Sequence, residues 1–127
     1  MQSAKTDFHK HIAHLFYAIT MADKKIVADE KRKIVAYVEK YWSTTIDGEN
    51  STEIIYETLR GLIKIKLGSD RAFEVFKLYF ENNIEEFPEE VRKRLMETVD
   101  GIALSVSKRN KSELILLTKI HRLLFKN

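Results

Sequence analysis

The chain has no cysteine, one proline and four glycines among its 127 residues. The missing cysteine excludes disulfides, thiolate metal sites and cysteine nucleophiles. So few glycines and prolines leave little material for tight hairpins or a phosphate-cradling loop, and an all-α chain is the first expectation. No stretch approaches the roughly 18 consecutive apolar residues of a membrane span. The opening MQSAKTDFHKH also lacks an apolar h-region, so a soluble, cytoplasmic protein is expected. Charge of one sign is scarce too: 22 Lys and Arg face 19 Asp and Glu, a formal net charge of +3. Nucleic acid is not an expected partner, because its binders gather basic residues on one face.

What is present is helical periodicity. Hydrophobic residues make up 44% and charged residues 32%, enough for one domain spanning residues 1–127 with a real core. Phe8, Ile12, Leu15, Phe16 and Ile19 form the stripe of a helix over 6–22. A second helix, over 28–43, turns Ile34, Val35, Val38, Tyr41 and Trp42 inward, and Ser43-Thr44-Thr45 with Asp47-Gly48 breaks it. Asn50-x-x-Glu53 has capping-box spacing and opens a third, with Ile54, Ile55, Leu59, Leu62, Ile63 and Leu67 on its apolar face. That helix is expected to stop at Gly68, with Ser69 capping a fourth over about 70–84. The fourth carries Phe73, Val75, Phe76, Leu78, Tyr79 and Phe80, so broad an apolar surface that a central position, or one against a partner chain, is expected. Pro88, Glu89 and Glu90 suit the first turn of a fifth helix, through Val91, Leu95, Val99, Ile102 and Val106, with Asp100-Gly101 read as lying inside it and a break there as the alternative. Ser107–Asn110 reads as a polar turn. Asn110-x-x-Glu113 then opens a sixth helix bearing Leu114, Leu117, Ile120, Leu124 and Phe125. The expected fold is a single compact bundle of about six main helices.

Chemistry enters at the corner between the first two helices. Asp23 closes one, and Asp29 and Glu30 open the next. Three carboxylates offer the oxygen ligands that Ca²⁺ or Mg²⁺ takes. The loop lacks the alternating acids and central glycine of an EF-hand, and Lys24 and Lys25 lie beside it. Capping accounts for the same acids, with Glu30 as half of a capping box and Asp29 as a first-turn acid. Both readings stay open. A weaker echo appears at 98–117, where Glu113 aligns with Glu30 and Val106 with Asp23.

Ala22-Asp23-x-x-Ile26 followed by Glu30 resembles the ADGxISxxE signature of the tellurite-resistance TerB-like family. These are all-α domains, a kind also found fused to a DnaJ-type co-chaperone. The resemblance implies a compact helical domain with an acidic, metal-capable patch and stress-response or envelope-linked partners rather than established catalysis. Asp23 and Glu30 are the residues it carries over. Lys24 replaces the signature glycine and Val27 the signature serine that would cap the second helix.

Other clusters have plainer readings. His9, His11 and His14 lie on the first helix, with His14 expected on its polar side, His11 at the edge of the stripe and no acid or cysteine nearby to complete a ligand set, so a solvated helix face is expected. His121 reads as a hydrogen-bonded boundary histidine. Phe73, Phe76, Tyr79 and Phe80 read as core, with a stacking platform or partner groove as the alternative. Lys108, Arg109, Lys111, Lys119, Arg122 and Lys126 gather near the C-terminus, where they suit a solvated helix face, an acidic partner or peripheral contact with an anionic membrane surface. No nucleophile elbow, phosphate loop or HExxH occurs. The expected function is a non-enzymatic TerB-like binding or scaffold module, acting on a partner protein or a second copy through an exposed helical surface. The alternatives are a divalent-cation sensor at Asp23, Asp29 and Glu30, or a small enzyme.

Overall fold

A computed structural model describes residues 4–23, 28–42, 45–46, 49–104 and 111–125, and side chains within 7–22, 34–42, 52–103 and 111–125. The described residues form an all-α bundle of six helices: α1 Ala4–Thr20, α2 Ala28–Trp42, α3 Ser51–Ile65, α4 Ser69–Asn82, α5 Glu89–Leu104 and α6 Lys111–Phe125. Single 3₁₀ turns follow α1 at Met21–Asp23 and α4 at Ile84–Glu86. Between α2 and α3, β1 (Thr45–Ile46) pairs antiparallel with β2 (Glu49–Asn50), the one place where the chain makes a ladder among the described residues. The expected polar turn at 107–110, Val106 and the Asn110 cap lie outside the described residues.

The centre of the bundle is α1, not α4. From Ile12 to Thr20 every residue but His14 is buried, including Ala13, Tyr17 and Ala18, which lie off the expected stripe. α3 and α4 pack most extensively on α1, and α5 covers it further. Ala13 and Ala18 have side chains short enough to let neighbouring helices come close on those sides. α4 instead buries one face, through Ala72, Phe73, Phe76 and Phe80, and leaves Leu78 58% exposed. On α6 the buried row is Glu113, Leu116, Leu117, Ile120 and Leu124, while Leu114 faces outward. Gly101 lies inside α5 as expected. A Cβ there would overlap the Tyr37 ring, so the glycine lets α2 approach α5 closely.

Polar side chains fasten the helices at their ends, where orphan backbone groups need partners. Ser69 is the first residue of α4 rather than its cap; its hydroxyl donates to the Ala18 carbonyl of α1 at 2.7 Å. Tyr17 donates to the Leu67 carbonyl at 2.6 Å, so α1 holds the α3–α4 connection twice. Arg92 donates from Nε to the Phe87 carbonyl at 3.0 Å and from Nη1 to the Leu124 carbonyl at 2.9 Å, tying α6 to the start of α5. Trp42 Nε1 donates to Thr98 Oγ1 at 3.1 Å, joining α2 to α5. Phe87, between helices, is buried against the rings of Phe8, Phe76, Tyr79 and Phe80.

Gly68 is not the C-cap of α3. That helix ends at Ile65, and Lys66 takes the left-handed conformation with φ 55°. Leu67 N–H reaches the Leu62 carbonyl and Lys66 N–H the Ile63 carbonyl, at 3.2 and 3.1 Å, the two bonds of a Schellman motif. Lys66 thus occupies the position glycine normally fills, and Gly68 becomes the extended N-cap of α4. Lys66→Gly is expected to relieve this strain and stabilise the chain by about 0.5–1 kcal/mol, offset in part by glycine's freedom when unfolded. A thermal melt should show the midpoint rising by roughly 2–4 °C.

Candidate functional site

α4 and α6 both pack onto neighbours, yet they leave a groove between them. On α4 its wall is Asp70, Phe73, Glu74, Lys77 and Glu81, and on α6 it is Leu116, Lys119, Arg122 and Leu123. Each set recurs at spacings of three and four, so each is one helix face. The groove encloses about 670 Å³. It continues toward the 3₁₀ turn after α1 in a second hollow of about 540 Å³, which shares Asp70, Leu116 and Lys119 and adds Met21, Ala22 and Ile115. The stretch from Ser112 to Leu123 on α6 makes the channel roughly 16 Å long at 1.5 Å per residue.

The chemistry of the channel is divided. Its floor is hydrocarbon: Phe73, Leu116 and, at the turn end, Met21. Its α4 rim is mainly acidic, with Asp70, Glu74 and Glu81 around Lys77, and its α6 rim is basic, with Lys119 and Arg122. Among the described residues no ion pair within 4 Å bridges these rims. Opposite charges therefore line an apolar trough without closing it. Ile115 at the edge is 50% exposed.

Of the corner acids, Asp23 directly follows residues that line the second hollow. Asp23 ends the 3₁₀ turn whose Met21 and Ala22 line the second hollow, and Asp29 and Glu30 are in the first turn of α2. The side chains of all three lie outside the described residues, as does the stretch 24–27 with Ile26 and Val27. Elsewhere among the described residues no group of three or more His, Asp or Glu is arranged to hold a metal ion. Of the basic residues near the C-terminus, Lys119 and Arg122 join the groove, Lys111 is exposed, and Lys108, Arg109 and Lys126 lie outside the described residues.

The histidines of α1 are not a solvated face. His9 is buried, and His11 and His14 are half-buried. The His11 ring stacks on Tyr79 of α4 with centroids 4.0 Å apart and planes at 12°. Tyr79 in turn donates to Glu86 Oε1 at 2.8 Å, and burial, then Glu86, pushes its phenol well up from the usual range. His11 and His14 each set Nδ1 against the carbonyl four residues back, at 2.7 and 2.8 Å, so Nδ1 carries the proton in both. His121 is exposed, its ring 5.1 Å from that of Phe125, and no hydrogen bond engages it among the described residues. Phe73, Phe76 and Phe80 are core, as their spacing implies, while Tyr79 is half-buried against His11.

The groove was not visible as a site in the sequence. Its acids fall at 70, 74 and 81 on a helix read for its aromatics, and its bases fall on a different helix. Charges at helical spacing are the available signal, but nothing in the sequence says which two faces will meet.

Burial lowers the pKa of His14 from the ordinary 6.5, and the charge of His11 acts in the same direction. The unfolded chain then binds a proton that the folded chain resists, so this stability is present above pH 6.5 and lost as pH falls below it. Thermal melts between pH 7.5 and pH 5 are expected to show the parent losing more of its midpoint than His14→Gln. Equal slopes would show that this imidazole does not control acid stability.

No helix among the described residues is long and apolar enough to cross a membrane. No family model, curated protein or solved structure matches this chain.

Proposed function

We propose that this chain is a cytoplasmic, non-enzymatic, TerB-like binding module whose α4–α6 groove holds an amphipathic helix of a partner protein. The observation that carries the reading is an apolar trough about three turns long between rims of opposite charge. A helix laid in it buries an apolar stripe on Phe73, Leu116 and Ile115, the usual mode of helix-in-groove recognition. Its flank toward α4 carries Lys or Arg and its flank toward α6 carries Asp or Glu, so the charges also set its direction and register. The link to stress or tellurite resistance rests on the likeness at Ala22-Asp23 and Glu30.

Selection of displayed helical peptides of about four turns against the parent chain tests this. The expected winners share an apolar i, i+3/i+4, i+7 stripe flanked by basic residues on one side and acidic residues on the other. Their amide shift changes should map to α4 and α6. The double variant Ile115→Asp/Lys119→Glu, at two exposed positions, should weaken them by about tenfold. Winners with no such pattern, or shifts elsewhere, would sink the reading. Sedimentation of the chain alone separates a foreign helix from a second copy.

The position of Met21 and Ala22 at the channel's end favours one further reading. A Ca²⁺ or Mg²⁺ held by Asp23, Asp29 and Glu30 would fix the turn that lines the groove, making the module a cation sensor. In that case millimolar Ca²⁺ or Mg²⁺ raises the melting midpoint of the parent chain but not of Asp23→Asn/Glu30→Gln, since a ligand bound only to the folded state stabilises it. An unchanged parent midpoint leaves Glu30 and Asp29 as first-turn helix acids.

A further inference from the structure

A separate cavity of about 220 Å³ lies between α1, α2 and α3 and shares no lining residue with the groove. Tyr17, Thr20, Ile34 and Leu59 form its nearly inaccessible floor. The polar atoms of that floor are already committed. Tyr17 donates to the Leu67 carbonyl, and Thr20 donates to the Phe16 carbonyl at 2.8 Å. The interior therefore offers an occupant hydrocarbon and ring faces alone, and an apolar hollow of this kind excludes water more readily than it holds it.

The rim shows where the occupant ends. Val35 of α2 and Ile63 of α3, both at positions expected to face the core, are 41% and 36% exposed at the mouth. The apolar stripes of the two helices run past what the chain itself covers. Beside them stands Arg60, exposed and, among the described residues, without an ion pair or hydrogen bond. Lys64 lies one turn further along α3. The acids near the mouth are Glu39, within 3.4 Å of the Tyr56 hydroxyl on the α2 side, and Glu53 on α3, whose charge acts on the same phenol. Tyr56 is pushed up to about 12 by burial and then Glu39, so it stays a neutral phenol. A guanidinium with no partner among the described residues, set over an apolar hollow, matches a planar carboxylate attached to a hydrocarbon tail.

We propose that this cavity binds a small monocarboxylate whose apolar part, a single ring or a chain of roughly six to eight carbons, fills the hollow between α1, α2 and α3 while its carboxylate meets Arg60. The size follows from comparison: an apolar cavity of about 150 Å³ accepts benzene, and this one is somewhat larger. Two long acyl chains do not fit, so an intact membrane lipid is not the occupant. The two sites are independent, and either stands if the other fails.

Titrations of the full chain with octanoate, octanamide and octylamine, read by methyl NMR, test the assignment. Octanoate is expected to shift the methyls of Ile34, Val35, Leu59 and Ile63 saturably, with octanamide weaker and octylamine weakest. Arg60→Gln should weaken octanoate about three- to fivefold, the scale of one exposed charge pair, and leave octanamide unchanged. Val35→Trp, which places a large ring at the exposed mouth, should abolish both. The proposal is overturned if octanoate gives no saturable shift at millimolar concentration. It is equally overturned if octylamine binds as tightly, or if Arg60→Gln affects octanoate and octanamide alike.

Discussion

A helix that is apolar on nearly all of its circumference must be enclosed, and residues 12–20 of α1, His14 apart, make such a helix. Exposing Phe16, Tyr17 or Ile19 to water would forfeit roughly 1.5–3 kcal/mol for each side chain, so the remaining helices are placed chiefly by the need to cover them. α3 and α4 take the largest shares, and α5 and α6 complete the shell. The polar pins follow from the same requirement. Tyr17 and Ser69 hold the α3–α4 connection against α1, and Arg92 holds the end of α6.

Both candidate sites arise because covering α1 does not also make its neighbours cover one another. α4 is anchored on α1, and α6 on α5 and the turn after α1, and the faces they turn toward each other remain apart. The result is a trough whose apolar floor is an edge of the core and whose rims are helix faces of opposite sign. α2 packs mainly on α5 and more sparingly on α3, which leaves the hollow above Tyr17 and Thr20. In a small bundle, gaps between second-layer helices are natural places for ligands, since the walls are rigid and the floor is already dry.

Periodicity made much of the fold legible. The helices over 28–43 and 70–84, the run of α5 through Gly101 and the buried aromatics of α4 all follow from side chains repeating every three or four residues, and backbone geometry turns that repeat into a face. Failures came where a residue's role depends on something other than pattern. Ala13 and Ala18 carry little hydrophobic signal, so the all-round burial of α1 was hidden and α4 seemed the better centre. Phe87 belongs to no helix and has no period. Lys66 adopts a conformation that favours glycine, so the end of α3 could not be read from residue type, and Gly68 two residues later was the natural but incorrect choice.

By itself the sequence determined the class of fold: no cysteine, little glycine or proline and sustained helical periodicity leave few alternatives to a helical bundle. The tertiary structure alone decided which helix is central, which apolar positions stay uncovered and which charges face each other. Val35, Ile63 and Ile115 match their buried neighbours in hydrophobicity, and Arg60, Lys119 and Arg122 look like any other solvated bases. Their roles come from the angles and spacings at which helices settle around α1. Those are properties of packing between distant segments, and local sequence does not encode them in any one place.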